Sequence, residues 1–258
     1  MLVQTLPFHE SLTLTAEPLT PSSFAPFGSV LANPAPEKRP HNTPASALPP
    51  GVGAVSANQG TAIQYRALAP PLKNLYGQAP SKQVASPRTT MFVCGARQLA
   101  PSGTADEGDG AGLFEVQILE RHPFTTQTFV PLGVDGSARY LVIVAPSLSP
   151  SADSPEEEKL PVPAGDGLPG RGMPDLKGLR AFVATGAQAV TYGAGTWHAP
   201  MAALGSAGSA IDFVVVQFAN DEPLEDCQEV ALNGKGKRKD GLSKIVVRVT
   251  RMPRLAKL

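Results

Sequence analysis

The sequence predicts a mainly β fold: an antiparallel sandwich or barrel with a few short helices and long loops. Three observations carry that expectation. Eight short runs are rich in β-branched and aromatic residues and are bounded by Gly, Pro, Asp or Ser. Glycine and proline number 25 and 27 among 258 residues, which gives many turns and argues against a helical bundle. No segment carries a long apolar stripe at helical spacing.

In chain order the predicted strands are Thr89–Cys94, Phe114–Leu119, Gln127–Pro131, Arg139–Ala145, Leu179–Ala184, Ala187–Tyr192, Ile211–Phe218 and Lys244–Val249. Eight such runs fit an antiparallel sandwich or barrel. Thr185-Gly186 reads as a tight hairpin turn between two of them. Short helices are expected at Ser22–Ala25, after Pro21, and within Pro70–Tyr76. Loops are expected over Ala32–Gly51, Ala100–Gly112, Ser147–Lys177 and Asn233–Gly241. The third is about thirty residues long, charged and poor in large apolar side chains, so it reads as a disordered insertion in a single domain over 1–258. The basic cluster Lys235–Lys239 reads as a solvated loop tip.

Composition narrows the function classes. Lys+Arg and Asp+Glu balance at 22 each, so nothing argues for a nucleic-acid partner. No run of apolar residues is long enough to span a membrane, and the N-terminus has no basic region leading into an apolar stretch. Cys94 and Cys227 read as free thiols of a reducing compartment. The final Ala256-Lys257-Leu258 is close to the peroxisomal Ser-Lys-Leu address, so cytoplasm or peroxisome is expected.

Two segments carry chemistry. In ERHPFTTQTFVPLG (Glu120–Gly133), residues two apart on a strand face the same way, so Glu120 and His122 share a side and Gln127 can return to it from the next strand. In YGAGTWHAPM (Tyr192–Met201), two glycines precede the only tryptophan and His198. His9 and His41, in terminal or Pro-rich segments, read as structural, and Trp197 reads as a packing wall. Glu120 could instead pair with Arg121.

The spacing resembles that of cupin barrels, which use His-x-His, then a carboxylate, then Gly-x-x-His. Here Glu120-x-His122 with Gln127 occupies the first pattern, and Gly193-Ala194-Gly195-Thr196-Trp197-His198, as Gly-x-Gly-x-x-His, the second. The cupin resemblance implies a jelly-roll type antiparallel barrel with Glu120, His122, Gln127 and His198 facing one another. That set could hold a divalent metal, although an amide oxygen adds little to a transition-metal site.

More specifically, the blocks ILERHPFTTQTFVPLG, LRAFVATGAQAVTYGAGTWHAPM, DFVVVQFANDEPLEDCQEV and Asn58-Gln59-Gly60-Thr61-Ala62 resemble the ureidoglycolate lyase family, in its fungal form. Bacterial members tend to read Trp-His-His-Pro, and Ala199 departs from that. The resemblance covers about residues 55–66, 88–145 and 178–230. It implies a cupin-like homodimer that splits (S)-ureidoglycolate into glyoxylate and urea in allantoin and purine catabolism. Loss of the hydroxyl proton, breakage of the C–N bond and protonation of the leaving nitrogen suit His122, His198 and Glu120 as catalytic groups. Arg97 is the expected fork for the substrate carboxylate, ahead of Arg121 and Arg88. Asn58, Gln59, Gly60 and Thr61 are expected to bind the small anion, and Gln127 the ureido group. The alternatives are another metal-dependent cupin enzyme, an isomerase or dioxygenase, and a non-catalytic binding barrel.

Overall fold

The computed structural model describes residues 1–103, 111–150, 159–234 and 243–250. The Lys235–Lys239 cluster, the C-terminal tripeptide and most of the loop expected over Ala100–Gly112 lie outside the described residues. No described helix is long and apolar enough to cross a membrane.

The mainly β expectation holds. An eight-stranded sheet runs in the order β1 (Leu2–Phe8), β17 (Gln228–Gly234), β9 (Ile118–Arg121), β14 (Trp197–His198), β11 (Arg139–Ala145), β12 (Arg180–Thr185) and β3 (Glu17–Pro18), with β15 (Ala202–Leu204) also on β11. A five-stranded sheet runs β4 (Gly28–Ala32), β13 (Gln188–Tyr192), β10 (Gln127–Leu132), β16 (Ala210–Ala219) and β7 (Ser86–Gly95). A third sheet is β2 (Leu12–Thr15), β18 (Ile245–Val249) and β8 (Gly112–Glu115), and β5 (Ala54–Ala57) pairs with β6 (Ala62–Tyr65) in a separate hairpin. The sheets are not closed, in keeping with a cupin-like β architecture of packed sheets rather than one sealed barrel.

Packing explains the sequence pattern. One core lies between the eight- and five-stranded sheets and includes Tyr140, Val142, Val144, Phe129, Phe213 and Val215. A second lies between the eight- and three-stranded sheets and takes Leu141, Ile143, Ala145, Phe114, Ile245 and Val247. Strand β11 is therefore covered on both faces, which is why RYLVIVA is a continuous apolar run rather than an alternating one.

Several expectations are corrected. The run Phe114–Leu119 is two strands in different sheets, because the chain crosses layers at Val116 and Gln117; their backbones bond to Ile245 and Leu232. The Thr185-Gly186 turn is present, but it does not close a hairpin: β12 pairs with β11 and β13 with β10 and β4, so the turn carries the chain from one core-lining sheet to the other. A Cβ on Gly186 would stand 2.1 Å from the Asp135 carbonyl, so this corner needs glycine. In the segment Pro70–Tyr76 no helix forms before its last residue; a single turn of 3₁₀ helix spans Tyr76–Gln78. The early helix is α1 (Pro21–Phe24), capped by the Thr20 hydroxyl. Of the insertion expected to be disordered over 147–177, residues 151–158 lie outside the description, but parts of 159–177 are packed: Leu160 and Met173 are buried, and the Gly170, Arg171 and Gly172 carbonyls accept hydrogen bonds from Arg121, while 164–167 are exposed.

Candidate active site

The two segments singled out in the sequence meet. Strand β14 pairs antiparallel with β9, and His198 stands directly across from Glu120. Because side chains two apart share a face, His122 projects beside them. One oxygen of Glu120 and one ring nitrogen each of His122 and His198 lie within 4.8 Å of one another.

The imidazoles are locked in one tautomer. His122 Nδ1 donates to the Asp226 carbonyl at 2.6 Å, and His198 Nδ1 donates to the Thr196 carbonyl at 2.9 Å. A carbonyl can only accept, so both Nδ1 atoms carry a proton, and in a neutral ring the nitrogen left as acceptor is Nε2. Neither Nε2 has a hydrogen-bond partner, although both are buried. His198 Nε2 lies 3.6 Å from a Glu120 oxygen. That contact is not an ion pair at neutral pH, because burial, reinforced by His122, pulls the His198 pKa down to about 3. With neutral rings the group is three acceptors facing one another, an arrangement that a cation or a ligand donor would complete.

Neighbouring elements fix the group from behind. Tyr192, the first residue of YGAGTWHAPM, stacks on His198 with ring centroids 4.0 Å apart and 13° between planes. Arg121, between Glu120 and His122 in the chain, points the opposite way and is fully buried. It bonds Gln228 Oε1 at 2.8 Å and the Gly170 carbonyl at 2.8 Å, and its guanidinium lies 4.4 Å over the Trp197 ring. Trp197 is indeed a packing wall, its Nε1 bonded to the Gly172 carbonyl. α2 (Pro223–Asp226) is held by Glu225, which accepts from Ser81 and Asn220, and by Asp226, which accepts from Tyr76 Oη at 2.6 Å. That anchoring places the Asp226 carbonyl under His122.

Glu120 and His122 line a cleft of about 420 Å³ together with Gln127, Gln217, Arg88, Thr90, Phe92 and Phe129. Gln127 therefore lines the same cleft. Arg97 does not line it: the side chain is exposed and its guanidinium lies over Phe114. Arg88 is the arginine that does, in a bidentate pair with Asp221. Asn58, Gln59, Gly60 and Thr61 form the exposed turn of the β5–β6 hairpin and do not line the cleft. Sequence reasoning missed Tyr192 as a stacking partner, Asp226 as the His122 acceptor and Gln217; only the last had a usable signal, as the polar break in the apolar run IDFVVVQF. A second cleft, of about 400 Å³ and lined by Lys73, Asn74, Gln78 and Asp166, holds none of these groups.

Comparison with known proteins decides the family. A family model described as Ureidoglycolate lyase matches residues 11–237. The chain belongs to the ureidoglycolate lyase family. Curated ureidoglycolate lyases of Schizosaccharomyces pombe and Saccharomyces cerevisiae are 33% and 32% identical to it over 220 and 223 residues. Those alignments span 85% and 84% of this chain and 91% and 93% of the yeast proteins. A Burkholderia mallei ureidoglycolate lyase is 32% identical over 81% of this chain and 84% of its own. In this family member the matched region contains every residue of the Glu120–His122–His198 group and the cleft around it.

Proposed function

We propose that this protein cleaves ureidoglycolate into glyoxylate and urea, and that the Glu120–His122–His198 group does the chemistry. The observation that carries the reading is the convergence of a carboxylate oxygen and two unpartnered imidazole nitrogens within 4.8 Å, at the wall of a cleft, in a chain of this family. The reaction moves one proton. It leaves the carbinol hydroxyl, the C–N bond breaks as the aldehyde carbonyl forms, and the proton returns to the departing ureido nitrogen. Glu120 reaches the cleft, and its carboxylate is the group we assign to take the hydroxyl proton and deliver it to that nitrogen. Gln127 accepts from the ureido N–H groups, and Arg88 turns from Asp221 to the substrate carboxylate.

The donor set fits a divalent cation. Two histidines with Nδ1 bonded to carbonyls and Nε2 unpartnered, beside a carboxylate, form the pattern of metal-binding imidazoles held by outer partners. Glu120, His122 and His198 would hold the ion, which would polarise the hydroxyl and ease its deprotonation. Gln127 stands apart from that set, its amide bonded instead to Gln217.

We also propose a homodimer of single-domain protomers. Support comes from the outer face of the five-stranded sheet, where Met91, Val93, Val130 and Leu132 are exposed at 54%, 69%, 38% and 49%. Light scattering should give twice the chain mass. The activity test is incubation of the purified protein with ureidoglycolate, with and without chelator. Glyoxylate and urea should form in equal amounts and turnover should fall on chelation; absence of glyoxylate overturns the assignment.

A further inference from the structure

The five-stranded sheet carries one polar rung across the floor of the cleft. Arg88 on β7 is the register partner of Gln217 on β16, and Gln127 on β10 is the partner of Tyr192 on β13. The β10–β16 register, Thr128 against Val216, sets Gln127 beside Gln217, and their amides bond at 2.6 Å. On the same face, the next rungs are Thr90, Val215, Phe129 and Val190, then Phe92, Phe213 and Pro131. The polar rung is thus an interruption in an otherwise largely apolar floor. It runs from a cation at one end to the ring stacked on His198 at the other.

Within that rung the direction of one hydrogen bond matters. Gln127 Nε2 donates to Gln217 Oε1, which leaves Gln127 Oε1 buried and without a partner. Gln127 and Gln217 both line the cleft. A bare amide oxygen can only accept, so it calls for a ligand end that carries N–H groups. If the amide turned over, the same place would present an NH₂ and call for an acceptor instead. In the structure the Gln217 oxygen, by accepting from Gln127 Nε2, holds the first of these two arrangements.

We infer that Gln217 is a positioning residue that sets substrate orientation: it holds the Gln127 amide with its oxygen offered to the ureido end, which leaves the carboxylate end for Arg88. This rests on the proposed ureidoglycolate cleavage and deepens it. A substrate bound the other way round would set its carboxylate against the Gln127 oxygen and its N–H groups against the Arg88 guanidinium, acceptor on acceptor and donor on donor.

The test compares Gln217→Glu, which keeps an acceptor for Gln127 Nε2, with Gln217→Lys, which offers only donors and turns the Gln127 amide around. Product inhibition by urea reports the ureido end, and inhibition by glyoxylate reports the carboxylate end. In Gln217→Lys the KM for ureidoglycolate and the urea inhibition constant should rise about tenfold, the worth of one lost hydrogen bond, with kcat changed less than about threefold. In Gln217→Glu the urea constant should stay within about twofold of the parent value. Glyoxylate should respond in the opposite sense: unchanged or tighter in Gln217→Lys and weaker in Gln217→Glu, whose new carboxylate competes for Arg88. A merely structural perturbation would weaken both products in both variants, and that result overturns the inference, as does equal urea inhibition in the two. If Gln217→Lys does not fold, Gln217→Met serves, with the same sense expected for urea and no change for glyoxylate. If the parent protein itself releases no glyoxylate from ureidoglycolate, the activity assignment and this inference fall together; if it turns over and the variants respond alike, only this inference falls.

Discussion

Arg121 is flanked by two residues of the proposed site yet never faces it, so its replacement separates support from chemistry. Consider Arg121→Met, which keeps much of the volume and removes the donors. The guanidinium is fully buried and makes two bonds of 2.8 Å, to the Gln228 amide oxygen and the Gly170 carbonyl. Two longer bonds of 3.2 Å go to the Arg171 and Gly172 carbonyls. The guanidinium also covers the Trp197 ring. Gly172 keeps the Trp197 indole as a donor, so its carbonyl is not orphaned in the variant. The Gln228 and Gly170 oxygens lose their Arg121 bonds. Hydrogen bonds to a charged donor are worth about 1.5–3 kcal/mol each, and the desolvated cation–π contact about 2 kcal/mol. Relief from burying a guanidinium offsets part of that sum, so we expect a net loss of about 3 kcal/mol. For a chain of this size that is a fall in Tm of roughly 6–12 °C. Urea denaturation gives the free energy and calorimetry the Tm. At temperatures where the variant is folded, kcat should also fall, because Trp197 and the 170–172 loop back the strand that carries His198. A loss below about 1 kcal/mol would refute the reasoning, since the Arg121 contacts would then add no more than a surface ion pair does.

Three further outcomes are expected. Glu120→Gln should lower kcat by about 10²–10⁴-fold with Tm little changed, as measured by glyoxylate release, because the amide cannot carry the proton. His198→Ala and His122→Ala should each abolish tight binding of a divalent cation, read by metal analysis after dialysis; retained stoichiometric metal in either would remove that histidine from the ligand set. Cys227 should resist alkylation in the native protein at about pH 8 and react once unfolded: burial, then Glu120, raises its pKa to about 11, so the thiolate appears only as pH climbs toward that value. Because the folded pKa is the higher one, this thiol contributes stability below the ordinary thiol pKa of 9.0, and the contribution is lost as pH rises toward about 11.

Much of the site was legible in the sequence because it is built from short, local patterns. Glu120 and His122 are two apart on a strand, so period-two geometry alone puts them on one face. Gly195 has φ of +78°, a conformation glycine adopts readily, and it sits in the bend before β14 that delivers His198. Gln127 was legible for the same reason, as the first residue of the next strand. The strands missed at the N-terminus, β1 to β3, are short or contain proline and pair mostly with distant segments, so their own sequence gives a weak signal. The FEVQIL run reads as one strand in the sequence because apolar character does not record which sheet a residue joins.

By itself, then, the sequence determined the β-rich class, the alternation of faces along each strand, and the two segments that carry the acceptors. Only the tertiary structure decided that Arg88 rather than Arg97 lines the cleft, that the Asp226 and Thr196 carbonyls fix both histidine tautomers, and that Tyr192 lies against His198. The reason is physical. Periodicity and turn chemistry act over a few residues. Which strands become neighbours follows from burying whole faces against one another, and that depends on the entire chain at once.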